Sequence, residues 1–281
     1  MYSQNTIEWE VMRKNKIGAS DAPIIMEVSP YKTPYQLWQE KLDLVPLPEK
    51  TRGMVRGHAL EEKARSRLEQ LTDKLYLPQV KFHPSLSWMM ASLDCIDIEG
   101  KSIAEIKCPN RDDHEMAING KVPEKYYPQL QHQIEVTQVD SMIYFSFDGK
   151  DGCIVNVYRD DKYIKNMIQK EKDFWDCIQS FVAPALLDRD YQERTDSEWL
   201  AMAQEWLLIN KAYKDAEKRE KELKDKLTSL AKNQNCKGGG VKFSSYSRKG
   251  SIDYESIPEL QKVNLDLYRK NPIQINRLTS D

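Results

Sequence analysis

The stretch that most constrains this chain is "MASLDCIDIEGKSIAEIKCPN", residues 90–110, a turn signal with charge on both flanks. Glu99-Gly100 separates two runs rich in Ile, Leu, Ala and Cys, the pattern of two strands joined by a tight turn. A two-residue turn makes Ile98 face Lys101 and, counted outward, sets Asp94 directly opposite Glu105. Cross-strand partners hold their Cβ atoms about 4.5–5.5 Å apart, and like charges there destabilise the pair unless something positive lies between them. A divalent cation meets that need, because Mg²⁺ takes one or two carboxylates and completes its shell with water and phosphate. Lys107 follows Glu105 by two residues and so projects to the same face of the strand. An ammonium there can orient an attacking water or stabilise charge on phosphorus. The hairpin therefore reads as a metal-dependent phosphodiester-cleaving site. A solvent-facing hairpin with an ordinary acid/lysine face has the same spacing, so the hairpin alone does not decide.

Around this hairpin the periodicity gives an α/β chain. Helices are expected over Thr6–Lys14, after the caps Ser20 and Thr33, and through "GMVRGHALEEKARSRLEQLT", where Leu60, Ala64, Leu68 and Leu71 recur at helical spacing. A proline-bearing loop, "VPLPEK", separates the last two. Strands are expected near 79–83, 86–90, 92–98 and 102–107, then in "SMIYFSF" and "CIVNVY". Helices over 111–119, 123–137 and 161–180 complete a first domain, 1–188. The remainder, 189–281, reads as a mainly helical C-terminal extension. It has one long helix over 197–233, a glycine-marked break with a strand in "CKGGGVKFSSYSRKG", and a polar tail, "NLDLYRKNPIQINRL".

Composition removes several function classes. Hydrophobic residues make up 40% of 281, enough for a core, but the longest apolar runs fall far below the roughly 20 residues of a membrane span. No membrane partner is expected, and the N-terminus has no apolar signal segment. Five cysteines without a CxxC pair argue against a disulfide framework and a zinc site, which points to a reduced, cytoplasmic setting. The four histidines are scattered. A net charge of −2 makes any nucleic-acid contact a matter of a local patch or bound cations.

"LDCID…AEIKCP" resembles the PD-(D/E)xK nuclease superfamily, with Leu93 in place of the nominal proline. Within it, the chain from Trp9 to Tyr158 is similar to the YqaJ-type viral recombinase family, that of the phage lambda exonuclease. Four ordered motifs carry this: "WEVMRKNKIGASDAP", "RGHALEEKAR", the hairpin and "YYPQLQHQIEVT". The resemblance implies a restriction-endonuclease-like fold, a central mixed sheet flanked by helices. It implies catalytic Asp94, Glu105, Lys107 and Gln129. Metal would be held by Glu61, Asp94, Glu105 and the backbone carbonyl of Ile106, and a 5′-phosphate by Arg13 and Ser20. Lys32, Arg111 and Tyr126 are further candidate DNA contacts. Taken singly, Glu61 reads sooner as a solvated neighbour of Glu62 and Arg13 sooner as part of the exposed "RKNK" run, while Gln129 reads equally as an ordinary helix residue.

The implied activity is a Mg²⁺-dependent 5′-to-3′ exonuclease on linear double-stranded DNA, with Mn²⁺ as substitute and two ions per site. It would leave 3′ single strands for recombination with a single-strand annealing protein. The resembled family also implies a homo-oligomeric ring, a trimer foremost. Trp199, Trp206 and Tyr213, seven residues apart, would serve as a subunit contact or pack on their own domain. Two alternatives stand beside this reading: an endonuclease or defence nuclease of the same superfamily, and a non-catalytic DNA-end-binding protein.

Overall fold

The computed structural model describes residues 6–46 and 51–260, with 263, 268 and 279. Most of the "VPLPEK" loop and of the polar tail lies outside the described residues. The chain divides into two compact units, one running to Gln192 and one beginning at Glu193.

In the first unit, α1 (Ile7–Lys14) is capped by Thr6, whose side chain accepts from Trp9 N–H. It leads through β1 (Ile17–Gly18) into α2 (Ala22–Ile25) and α3 (Pro34–Lys41). Thr33 and Gln36 close a reciprocal capping box on α3, with Pro34 in the first turn, as expected of a helix start. Ser20, in contrast, is not the cap of α2; Asp21 holds that position and α2 is a single turn. After α4 (Arg52–Thr72) come β2 (Tyr76–Phe82), β3 (Met89–Asp97) and β4 (Ile103–Lys107). Then follow α5 (Arg111–Ile118), α6 (Tyr127–Thr137), β5 (Ser141–Phe147), β6 (Gly152–Tyr158) and α7 (Asp161–Ser180).

The sheet runs β1-β3-β4-β5-β6, with β2 also on β3. It is mixed: β1 on β3 and β4 on β5 are parallel, and the other pairs antiparallel. Two apolar clusters cover it. Ala64 and Leu68 of α4 join Cys95, Ala104, Ile106, Phe145 and Phe147. Leu37, Leu130, Ile134, Met167 and Phe174, from α3, α6 and α7, join Met89, Leu93, Ile103 and Tyr144. Neighbours along β4 and β5 divide between the clusters, as the two-residue period of a strand requires.

Two details depart from the expectation. Residues 86–98 do not hold two strands; 89–97 form one. The pairing Leu77↔Ile96 and Gln79↔Leu93 takes two steps in β2 and three in β3, so β3 has an extra residue between Leu93 and Ile96. Pro78 lies at that step and has no N–H to give the ladder. Bulges of this kind re-aim side chains beside functional sites, and this one falls on the segment bearing Asp94. The turn is also longer than two residues. Asp97 N–H donates to Ser102 O at 2.9 Å across a four-residue loop, with Gly100 at φ +73°. That loop is centred where the shorter turn would be, so the register of the two strands is unchanged.

The second unit contains α8 (Ser197–Ala231), capped by Asp196, and the hairpin β7 (Cys236–Gly238) and β8 (Val241–Phe243) across Gly239-Gly240. On α8 the side chains of Trp199 and Tyr213 are exposed. Among the described residues no helix is long and apolar enough to cross a membrane.

Candidate active site

The β3–β4 ladder pairs Cys95 with Ala104 and Ile96 with Ile103. Extending that register sets Asp94 opposite Glu105. Asp94 Oδ2 accepts the Ile106 N–H at 3.0 Å. Glu105 is 2% exposed and is held by three donors. Its Oε1 accepts from Lys107 Nζ at 2.5 Å and from Gln129 Nε2 at 2.6 Å; its Oε2 accepts from Gln133 Nε2 at 2.5 Å.

Two of those donors come from α6, which is buried from Leu130 to Val136 although three of those seven residues are Gln or His and one is Glu. Such a helix survives burial only if its polar groups are paired. Gln131 donates to Tyr158 O and accepts from Asp160 N–H; His132 bridges Met90 O and Glu171; Glu135 binds His83 and Arg159. Gln129 and Gln133, one turn apart, are left to Glu105. Gln133 is absent from the sequence candidates, although the i, i+4 spacing in "QLQHQ" is a signal that points to it. Among the described residues its buried Oε1 has no hydrogen-bond partner.

The electrostatics of this cluster are unbalanced. Burial, then the Glu105 carboxylate, pushes the Asp94 carboxyl up to about 8, against the pull of Lys107 and the Ile106 N–H; Glu61 adds to the push. For Lys107, burial lowers the pKa, but Glu105 and Asp94 outweigh it and the ammonium is held above its usual range. Glu61, on α4, accepts from Arg65 Nη2 at 2.8 Å.

The donors available to a metal are all oxygens: two facing carboxylates, the Ile106 carbonyl and Glu61. Among the described residues no three His, Cys, Asp or Glu side chains stand ready-made as a metal cluster. Mg²⁺ does not ask for one, since it binds through one or two carboxylates and keeps several waters. The unrelieved charge at Asp94 is what such a cation would remove, so the residues fit it.

A cavity of about 100 Å³ joins this cluster to α1, lined by Trp9, Arg13, Ser20, Asp94, Glu105 and Gln129 among others. Arg13 Nη2 donates to Ser20 Oγ at 2.5 Å, and the guanidinium lies over the Trp9 ring, 5.2 Å from its centroid. Trp9 Nε1 in turn donates to Ser92 Oγ at 2.9 Å, tying α1 to β3. Beneath sits a buried ion pair, Lys41 Nζ to Asp21 Oδ2 at 2.6 Å. The same ammonium donates to Arg13 O at 2.8 Å and Lys16 O at 2.7 Å, and Asp21 Oδ2 also accepts the Gly18 N–H at 2.9 Å. Burial raises the Asp21 pKa, but Lys41 and Arg13 more than reverse this, so the carboxyl is held below its usual range. One buried ammonium thus fixes the backbone on both sides of the Arg13–Ser20 contact. No sequence signal pairs Asp21 with Lys41, because the pair exists only once α3 folds back onto the turn.

The remaining sequence candidates are placed as follows. Tyr126 has Lys107 Nζ 5.5 Å and Lys125 Nζ 5.2 Å from its ring centroid, at the edge of the cluster. Lys32 is paired with Glu40 at 2.5 Å. Arg111 is not brought to the cluster; it starts α5 with its side chain 88% exposed and bound to Glu115.

Against known proteins, a model of the YqaJ-like viral recombinase domain matches residues 8–140. An uncharacterized protein, YqaJ of Bacillus subtilis (strain 168), is 26% identical, over 78% of this chain and 76% of its own length. The crystal structure of an alkaline exonuclease (LHK-Exo) from Laribacter hongkongensis is 26% identical with a TM-score of 0.54, covering 63% of this chain and 94% of that one. The same protein in complex with dAMP gives a TM-score of 0.55 at the same coverage. The span matched by the YqaJ-like viral recombinase domain contains Arg13, Ser20, Glu61, Asp94, Glu105, Lys107 and Gln129, so every residue of the cavity's two poles lies in the part of this chain that is similar to that domain.

Proposed function

We propose that this chain is a Mg²⁺-dependent nuclease of the alkaline-exonuclease type, digesting linear double-stranded DNA from the 5′ end. The observation that carries it is one cavity with two poles: Arg13 and Ser20 at one, Asp94, Glu105 and Gln129 at the other. A guanidinium and a hydroxyl suit a terminal phosphate. A carboxylate pair with a lysine suits the scissile one.

Each residue then has a role. Arg13 and Ser20 hold the 5′-terminal phosphate and so define where the next phosphodiester falls. Gln129 and Gln133 fix Glu105, leaving Lys107 as the donor with freedom to turn toward a substrate. Its ammonium, kept charged by Glu105 and Asp94, orients the attacking water or stabilises negative charge on the phosphoryl oxygens. Asp94, Glu105 and the Ile106 carbonyl are the donors that would hold Mg²⁺, with Mn²⁺ as substitute and Glu61 serving a second ion. The chemistry bound Mg²⁺ supplies is charge neutralisation at the phosphate and a lowered pKa for water.

The family reading extends to a ring-shaped homo-oligomer, a trimer foremost, whose 3′ single-stranded product passes to an annealing protein. Light scattering on a sizing column tests the ring, and a monomer with and without DNA rules it out. The deciding experiment for the activity offers 5′-phosphorylated linear duplex and closed circular duplex, each with Mg²⁺ or with chelator. Loss of the linear form alone, and only with Mg²⁺, is expected. Nicking or linearisation of the circle favours the endonuclease alternative, and no digestion of either favours the non-catalytic one.

A further inference from the structure

Tyr31 is 76% exposed, and a single exposed aromatic ring is ordinary by itself. What surrounds Tyr31 is not. Its loop is clamped by residues far along the chain: Arg189 Nη1 donates to Ser29 O at 2.8 Å and Nη2 to Lys32 O at 3.0 Å. Thr33 Oγ1 donates to Asp190 Oδ1 at 2.5 Å. Within the loop, Tyr31 N–H donates to Ser29 Oγ at 3.3 Å.

The ring is also braced from below. Lys125 Nζ lies over it, 5.8 Å from the centroid, and is itself anchored by Asp113 at 2.5 Å. The same ammonium stands 5.2 Å from the Tyr126 ring, and Lys107 Nζ stands 5.5 Å from that ring. Lys107 binds Glu105. Rings and ammonium groups therefore alternate from the carboxylate cluster outward to Tyr31. Alternating aromatic rings and cations is the chemistry that holds single-stranded nucleic acid, with bases stacked on rings and the backbone tracked by charge.

We propose that Tyr31 is the stacking platform of a subsite for an unpaired nucleotide beside the active site, the base lying on the open face of the ring and the backbone passing Lys125. The inference rests on the nuclease reading. The nucleotide belongs either to the strand being cut or to its complement.

The test uses the full chain in chelator, so that DNA is bound and not digested. Binding of a short fluorescein-labelled single strand is measured for the parent, Tyr31→Ala and Tyr31→Phe. Stacking is worth about 1–3 kcal/mol per base, so Tyr31→Ala should bind at least fivefold more weakly, with Tyr31→Phe restoring parental affinity. Less than a fivefold loss overturns the proposal. So does a Phe variant as weak as the Ala variant, which would make the hydroxyl, not the ring, the contact. A duplex with a frayed 5′ end and 2-aminopurine in one strand or the other identifies the source: quenching that Tyr31→Ala relieves in either strand supports the subsite and names its strand. Quenching in neither overturns it. Parental digestion of linear duplex with Mg²⁺ is followed in parallel, so a failed nuclease reading shows as absent digestion while single-strand affinity still depends on Tyr31.

Discussion

Asp21 with Lys41, and Asp94 and Glu105 with Lys107, are both carboxylate–lysine clusters taken largely out of water, yet their electrostatics run in opposite directions. At Asp21 one acid meets one ammonium and one backbone N–H, Arg13 adds positive charge, and the carboxyl is held below its usual range. At Asp94 two acids share one ammonium, Glu61 adds a third negative charge, and the carboxyl is pushed up to about 8. The balanced cluster needs nothing more and behaves as architecture. The unbalanced one is stable only in part by itself, and that deficit is what the proposed cation and phosphate would complete. Perturbed acids beside a cavity mark functional sites for this reason.

Breaking the unbalanced cluster should have the largest effect, and on turnover. Glu105→Gln and Lys107→Ala are each expected to lower cleavage of linear duplex by about 10²–10³-fold or more, the range seen when one electrostatic stabiliser of a transition state is removed. Circular dichroism should report an unchanged fold, since the amide introduced by Glu105→Gln has the shape of the carboxylate and keeps its place between Gln129 and Gln133. Near-parental rates for either variant would reassign the site.

Breaking the balanced cluster should instead cost stability. Lys41→Met leaves Asp21 buried and unpaired, which typically costs about 3–5 kcal/mol. The double variant Asp21→Asn with Lys41→Met removes both charges and should recover most of that loss. Urea denaturation reads both. If the single variant were as stable as the parent, the pair would not be the strut described here.

How far the sequence foretells these two clusters follows from how each is built. The Asp94–Glu105 cluster is local: a two-residue period and a centred turn fix the register whether the loop has two residues or four, so the hairpin is readable from 21 residues. Thr33 and its capping box are legible for the same reason, as are the mixed sheet and its flanking helices. The bulge at Asp94 is less so, because it depends on Pro78 in a neighbouring strand. Ser20 looks like a helix cap by type, but Asp21 takes that position because its carboxylate is claimed by Lys41 and Gly18. Gln133 and the Asp21–Lys41 pair become visible only when α6 and α3 are set against the sheet and the turn.

A smaller effect sharpens the comparison through pH. The Asp94 carboxyl binds its proton more tightly in the folded chain, where it titrates near 8, than in the unfolded chain, near 3.8. The folded state therefore binds more protons between those values, and stability in chelator should fall as pH rises from about 4 to 8. Asp94→Asn should flatten that slope and raise the melting temperature at pH 8. The side chain is partly exposed, so water screens part of the repulsion and a gain of about 2 kcal/mol is expected. Mg²⁺ should produce the same flattening in the parent. A pH slope identical in parent and Asp94→Asn would mean that the facing charges are relieved some other way.

The smallest predicted effect lies where the two clusters meet. Arg13 has its carbonyl on the balanced cluster through Lys41 and its guanidinium in the cavity shared with Asp94 and Glu105. Among the described residues its guanidinium donates to Ser20, lies over the face of Trp9 and adds positive charge beside Asp21, and one hydrogen bond uses one of the fork's five N–H donors, so others can serve a phosphate. Parent protein should cut duplex bearing a 5′-phosphate about tenfold faster than duplex bearing a 5′-hydroxyl, as one charge-assisted contact of about 1.5 kcal/mol provides. Arg13→Ala should bring the two rates together by slowing the phosphorylated substrate, with the 5′-hydroxyl rate little changed. Arg13→Lys should fall between, because an ammonium offers charge without the planar fork. Equal parental rates on both ends would remove the phosphate from this pole of the cavity and leave Arg13 as a structural partner of Trp9 and Ser20.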